Sequence, residues 1–166
     1  MNPPDEFSIE TSCCFSGHRK LSRSDYEEVS DRICRLMTDL YEKGIRTCYV
    51  GGALGFDYVA AVTLANLKNK MPELKLVIAL PCPEYDNKWD ERDRALYKHV
   101  FARADKIVYV SDKYRANSMQ MRNRYMVDRS CYCICWLTER AGGTMNTVKY
   151  ANDCGLEIFN LANGDF

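Results

Sequence analysis

Cys131-Tyr132-Cys133-Ile134-Cys135-Trp136-Leu137, followed shortly by Gly142-Gly143-Thr144, is the stretch from which the fold is read. It carries no charge, and its length and flanking turn residues suit a strand covered on both faces, as in the middle of a parallel sheet. A glycine turn opening a helix after such a strand is the start of a βα unit. The same succession repeats toward the N-terminus. Residues 47–50 run into Gly51-Gly52-Ala53-Leu54-Gly55, and residues 12–15 into Ser16-Gly17-His18-Arg19. Residues 74–80 are broken by Pro81-Cys82-Pro83, residues 106–110 form a further strand, and residues 157–161 the last. Between them the 3.6-residue period predicts five helices. The first is capped by Ser22 or Ser24, carries Tyr26, Val29, Ile33, Leu36, Met37 and Leu40 on one face, and stops at Gly44. The others cover 56–70, 87–103, 117–130 and 142–154, with Gly155 ending the last. Six strands alternating with five helices predict an α/β chain: a single three-layer Rossmann-like domain over residues 12–166, with a mostly parallel sheet of about six strands. A flexible segment over residues 1–11 precedes it.

A length of 166 residues fits one domain. Hydrophobic residues are 46% and charged residues 28%, which excludes a disordered chain. Twenty-three Lys and Arg balance 23 Asp and Glu. A grip on a polyphosphate backbone normally needs a basic excess, so nucleic acid is not expected as a partner. A local cation cluster suffices for a small anion. No apolar run approaches the roughly 20 residues of a membrane span, so no membrane partner is expected, and the first residues lack a signal-peptide pattern. Nine cysteines, several inside apolar runs, read as reduced thiols in a cytoplasmic protein. No cofactor and no metal site is expected, since Cys131, Cys133 and Cys135 alternate along one strand face and form no zinc knuckle.

In open α/β sheets ligands bind beyond the carboxyl ends of the strands, where strand order reverses. Gly51 to Asp57 and Gly142-Gly143-Thr144 both pass from strand to helix there. Their glycines let backbone N–H groups approach an anion beside a helix N-terminus; they equally serve a tight turn. Neither loop matches the dinucleotide fingerprint or the P-loop, and two such junctions in one small sheet favour a phosphate-bearing ligand. Thr144 is either a helix cap or a phosphate donor. His18 is a ligand donor, an acid/base group or a structural imidazole, and Arg19 can pair a phosphate or carboxylate bidentately. Met119, Arg122 and Met126 share a helix face, which predicts core methionines and an Arg122 emerging near the sheet edge. Tyr85 and Trp89 either stack on a base or anchor their loop.

Taken in order, Ser16-Gly17-His18-Arg19, Gly51-Gly52-Ala53-Leu54-Gly55-x-Asp57, Arg122-Asn123-Arg124-x-Met126-Val127-Asp128 and Gly142-Gly143-Thr144 resemble YpsA-like proteins. These belong to the SLOG superfamily, which joins the DNA-processing protein DprA to the LOG-type enzymes. The likeness runs over residues 13–161. It implies a Rossmann-like sensor or sequestering module for a nucleotide or nucleotide-derived small molecule. Ser16, Gly17, His18, Arg19, Gly51, Gly52, Gly55, Asp57, Arg122, Gly142, Gly143 and Thr144 would bind it, Asp57 accepting from ribose hydroxyls. A homo-oligomer is a further expectation from the family. LOG enzymes split the N-glycosidic bond of a nucleoside 5′-monophosphate, using Met-x-x-Arg-x-x-x-Met and Pro-Gly-Gly-x-Gly-Thr-x-x-Glu patterns. Met119, Arg122 and Met126 match the first. The second sets Thr147 at the catalytic glutamate, and threonine offers an oxocarbenium-like ribose no carboxylate. Binding without this catalysis is therefore implied, and no catalytic residue is assigned. The alternatives are a LOG-like hydrolase with Asp57, Asp128 or Glu139 as substitute carboxylate, and DprA-like single-stranded DNA binding.

Overall fold

The structure, a computed structural model, describes residues 7–163. After one 3-10 turn, Ile9–Thr11, strands and helices alternate: β1 Ser12–Gly17, α1 Arg23–Glu42, β2 Thr47–Gly51, α2 Phe56–Leu67, β3 Lys75–Leu80, α3 Glu91–Arg103, β4 Lys106–Tyr109, α4 Ser118–Asp128, β5 Tyr132–Trp136, α5 Gly143–Asp153 and β6 Glu157–Asn160. The strands pair in the order β4-β3-β2-β1-β5-β6, and every pairing is parallel. The chain walks outward from β1 to β4, then returns through α4 to lay β5 on the other side of β1. The change of direction sets α1, α2 and α3 on one face and α4 and α5 on the other, as the general right-handed rule for parallel crossovers predicts. Strand order thus reverses between β1 and β5.

Alternate strand residues feed two cores. Phe15, Val50 and Ile134 pack with Ile33, Leu40, Phe56 and Leu64 on one face. Cys14, Tyr49, Val77 and Cys133 pack with Met126, Val127 and Ala151 on the other. A strand buried on both faces needs no polar alternation, and that is why β5 reads as an unbroken apolar run. β4 closes the sheet as an edge, with Ile107 and Tyr109 exposed. The cysteines are free thiols; Cys13 Sγ lies 3.6 Å from Cys48 Sγ across β1 and β2, and burial pushes the Cys13 thiol up. Among the described residues no group of three or more His, Cys, Asp or Glu side chains is placed to hold a metal ion. Among them also, no helix is long and apolar enough to cross a membrane.

Helix starts fall into two kinds. Ser22 caps α1, its Oγ accepting from Asp25 N–H at 3.2 Å. Asp90 caps α3, accepting from Asp93 N–H at 2.8 Å. That cap, with acidic Glu91 and Asp93 in the first turn, starts α3 at Glu91 instead of the expected 87. The residues before it wind through turns, closed by Asn87 N–H on the Glu84 carbonyl (3.2 Å) and Trp89 N–H on the Asp86 carbonyl (2.9 Å). By contrast α2, α4 and α5 begin with no side-chain cap. α4 ends at Asp128, short of the expected 130, and the Ser130 hydroxyl donates back to the Met126 carbonyl at 2.8 Å. Of the expected flexible segment, residues 1–6 lie outside the described ones, and Ile9–Thr11 forms the 3-10 turn.

Candidate functional site

Two adjoining cavities open at the carboxyl ends of the strands. One, about 280 Å³, is polar and lies over the reversal point, between the end of β1, Asp57 and the start of α5. The other, about 580 Å³, lies toward β3 and is walled by Leu54, Pro81, Tyr85, Trp89 and Tyr114. Arg19, Ala53, Met119 and Arg122 line both. These volumes suit a small organic ligand, whose pockets usually span roughly 300–1,000 Å³.

Arg122 lies on the floor shared by both cavities, and Asp57 lines the polar one. Arg122 is 3% exposed and Asp57 5%. The expectation that Arg122 emerges near the sheet edge is corrected: α4 lies across β1, β2 and β3, so its inner face delivers the guanidinium to the middle of the sheet. There Nη1 donates to the Ala79 carbonyl at 3.3 Å and Nε to Asn123 Oδ1 at 2.8 Å. Gly51 makes the space. A Cβ on it would overlap the Arg122 guanidinium and lie 2.6 Å from Asp57 Oδ2, so the buried pair needs a residue without a side chain at the end of β2. Asp57 also accepts from Ala53 N–H at 3.3 Å, and Tyr97 Oη donates to the Ala53 carbonyl. Burial pushes the Asp57 carboxyl up, against the pull of Arg122, the Ala53 N–H and Arg19. Burial likewise pulls the Arg122 guanidinium down, against Asp57. Each charge is affordable there because of the other.

The expected site residues divide by what they face. Ser16, Gly17, His18, Arg19, Asp57, Arg122, Gly143 and Thr144 line the cavities. Gly51, Gly52 and Gly55 are used for close approach of protein to protein. Gly52 stands against Leu80 and Tyr85, and Gly55, at φ +77°, against the carbonyls of His18 and Arg19. That contact lets Phe56 N–H donate to the His18 carbonyl at 3.1 Å, tying the loops after β1 and β2 together. Gly142, not Thr144, is the N-cap of α5, and a Cβ on Gly143 would meet nothing within 4 Å. His18 is held across the reversal point: its Nε2 accepts from Thr138 N–H at 3.0 Å, which puts its own N–H on Nδ1. Thr147 faces away from both cavities, its hydroxyl donating to the Gly143 carbonyl at 2.9 Å.

Several lining residues were not singled out from the sequence. Lys20 and Lys88 bring cations to the aromatic cavity without carboxylates of its own. Tyr114, 61% exposed, stands at its mouth. Met119, expected in the core, is half-buried and lines both cavities, since it sits in the first turn of α4, above the sheet. The 3.6 period gives a residue's face but not its height above the sheet.

Six parallel strands in doubly wound order, with adjoining cavities at the reversal point, define the chain as a Rossmann-like α/β protein. A family model described as the YspA SLOG family (YpsA) matches residues 17–153, and the chain belongs to that family. It is 31% identical over 137 residues to an uncharacterised SPbeta prophage-derived protein, YoqJ, of Bacillus subtilis, a match covering 75% of this chain and 80% of that one. A UPF0398 protein of Levilactobacillus brevis is 30% identical over 95 residues, 57% of this chain and 50% of the relative, so the match spans half that protein's length. Among solved structures, DNA processing protein A from Helicobacter pylori, described for its single-stranded DNA binding mode, superposes with a TM-score of 0.65 at 17% identity. That match covers 92% of this chain and 65% of the neighbour, and shows a shared fold.

Proposed function

We propose that the paired cavities bind a nucleotide or nucleotide-derived small molecule, with a phosphate in the polar cavity and the base in the aromatic one. The observation that carries this reading is the buried Arg122 on the floor common to both cavities, with buried Asp57 in the polar one, beside the uncapped start of α5. Two opposite charges buried near one another without a direct salt bridge are a poor source of stability compared with packed apolar residues. The place of Arg122 in a cavity floor suits a guanidinium that contacts a ligand. Backbone N–H groups at Gly143 and Thr144 add the positive end of α5, and Arg19 supplies a second cation. Asp57 is the one carboxylate lining either cavity, and it accepts from a ribose hydroxyl in this arrangement.

Gly143→Ala separates a ligand site from a mere turn. Its Cβ would project into open space and its φ is not left-handed, so the melting temperature should hold or rise slightly. Affinity for nucleoside monophosphates should fall about tenfold, because a methyl group at the helix start keeps phosphate from the backbone. Calorimetry beside thermal melting reads both. Equal affinity would leave the glycine as a turn residue only.

The same calorimetry addresses the two other readings. Hydrolysis of an N-glycosidic bond would appear as released base; Thr147 supplies no carboxylate, and the buried Asp57 carboxylate accepts from the Ala53 N–H. Single-stranded DNA binding gains weight from the neighbour in Helicobacter pylori, and from the mouth of the aromatic cavity, where Arg19, Lys20 and Lys88 stand near Trp89 and Tyr114. Zero net charge weighs against it. Affinity for an oligothymidylate that falls steeply with salt, and exceeds that for mononucleotides, would favour DNA.

A further inference from the structure

We propose that the Tyr85 hydroxyl recognises the nucleobase through a hydrogen-bond acceptor on the base's edge; the inference rests on the nucleotide reading above. Among the described residues two buried side-chain oxygens have no hydrogen-bond partner, Tyr85 Oη and Ser111 Oγ. Both lie beyond the carboxyl ends of β3 and β4, on loops joined by Ser111 N–H donating to the Pro81 carbonyl at 2.9 Å. A buried hydroxyl with no partner is a standing cost, and in the wall of a cavity that cost has an explanation if a ligand removes it.

Tyr85 fits that role in three respects. Its ring lines the aromatic cavity, edge-on to Trp89, with centroids 5.3 Å apart and planes at 74°. Its Oη is tucked against Gly52, where a Cβ would lie 3.3 Å away. Burial pushes the phenol up, so the group stays protonated and acts as a donor. Because Oη makes no bond where it stands, turning the ring toward the cavity breaks none. The surrounding side chains narrow what it meets. Arg19, Lys20, Lys88 and the Trp89 indole are donors only, and Asn87 alone adds a side-chain amide acceptor. Such a wall suits a ring edge carrying nitrogen or carbonyl acceptors, with the ring itself against Trp89.

Tyr85→Phe removes one oxygen and keeps the ring. The wild type and the variant are compared by calorimetry with the tightest binder among AMP, GMP, CMP and UMP, and with ribose 5-phosphate, while melting temperatures are recorded. The variant is expected to melt no lower than the wild type, to bind the nucleotide about tenfold more weakly, and to bind ribose 5-phosphate unchanged. Unchanged nucleotide affinity, or an equal loss for both ligands, would overturn the assignment and leave Tyr85 a packing residue. If the wild type binds neither ligand, the nucleotide reading itself falls and takes this inference with it.

Discussion

Asp57→Asn is expected to melt at or slightly above the wild-type temperature at neutral pH, because burial disfavours the Asp57 carboxylate by more than Arg122 favours it, and the amide keeps the shape without the charge. Two further readouts test that cause. An anion reaching Arg122 takes the missing carboxylate's place, so phosphate or a nucleotide should raise the variant's melting temperature more than the wild type's. The second is pH. Burial holds the Asp57 carboxyl above its unfolded value of about 3.9. The native state therefore keeps that proton to higher pH than the unfolded chain, and this group's contribution to stability falls as pH rises through that window. The amide binds no such proton, so only the wild type gains from acid, and the difference in stability between the two proteins should move in the wild type's favour as pH falls through that window. A difference that stays constant with pH, in a variant that anions do not stabilise further, would mean Asp57 acts by shape alone.

Arg122→Ala should produce the largest loss of binding. A guanidinium on phosphate or ribose makes charge-assisted hydrogen bonds of roughly 1.5–3 kcal/mol, so affinity for nucleoside monophosphates should drop about ten- to a hundredfold. Stability should fall by the lost packing of the buried side chain and not through Asp57, since a carboxyl left without Arg122 can take up a proton. Titration calorimetry on folded variant checks the first statement, and chemical denaturation the second. Unchanged affinity would remove Arg122 from the site.

The fold was largely legible in the sequence because a doubly covered parallel sheet writes itself as apolar runs. β5 announces its own burial, and Gly44 and Gly155, at φ +106° and +85°, end α1 and α5 as read. Helix starts were harder. The stretch before α3 carries enough charge to pass for helix, and the Asp90 cap decides otherwise. Site residues were legible by type and loop but not by partner. Arg122 comes to the same side of Gly51 as Asp57 from 65 positions away, and His18 meets Thr138 from 120 positions away. Only the strand order, which no local pattern encodes, brings them together. Nor does a glycine in a sequence say what approaches it. At Gly51 it is the protein's own Arg122 and Asp57 side chains, whereas at Gly143 the space is open.

On the nucleotide proposal, Arg122 and Asp57 are kept for a ligand and not for the fold. The measurement that bears on it most directly is a titration of AMP, GMP, CMP and UMP into the wild type and into the double variant Arg122→Met with Asp57→Leu, which removes both charges and leaves neither stranded. Apolar replacements of a buried pair are commonly neutral or stabilising by about 1–4 kcal/mol. The double variant is thus expected to melt at or above the wild-type temperature while losing nucleotide binding at least tenfold. A double variant that binds a nucleotide as tightly as the wild type, or a wild type that binds none of the four, would refute the proposed binding role of the pair.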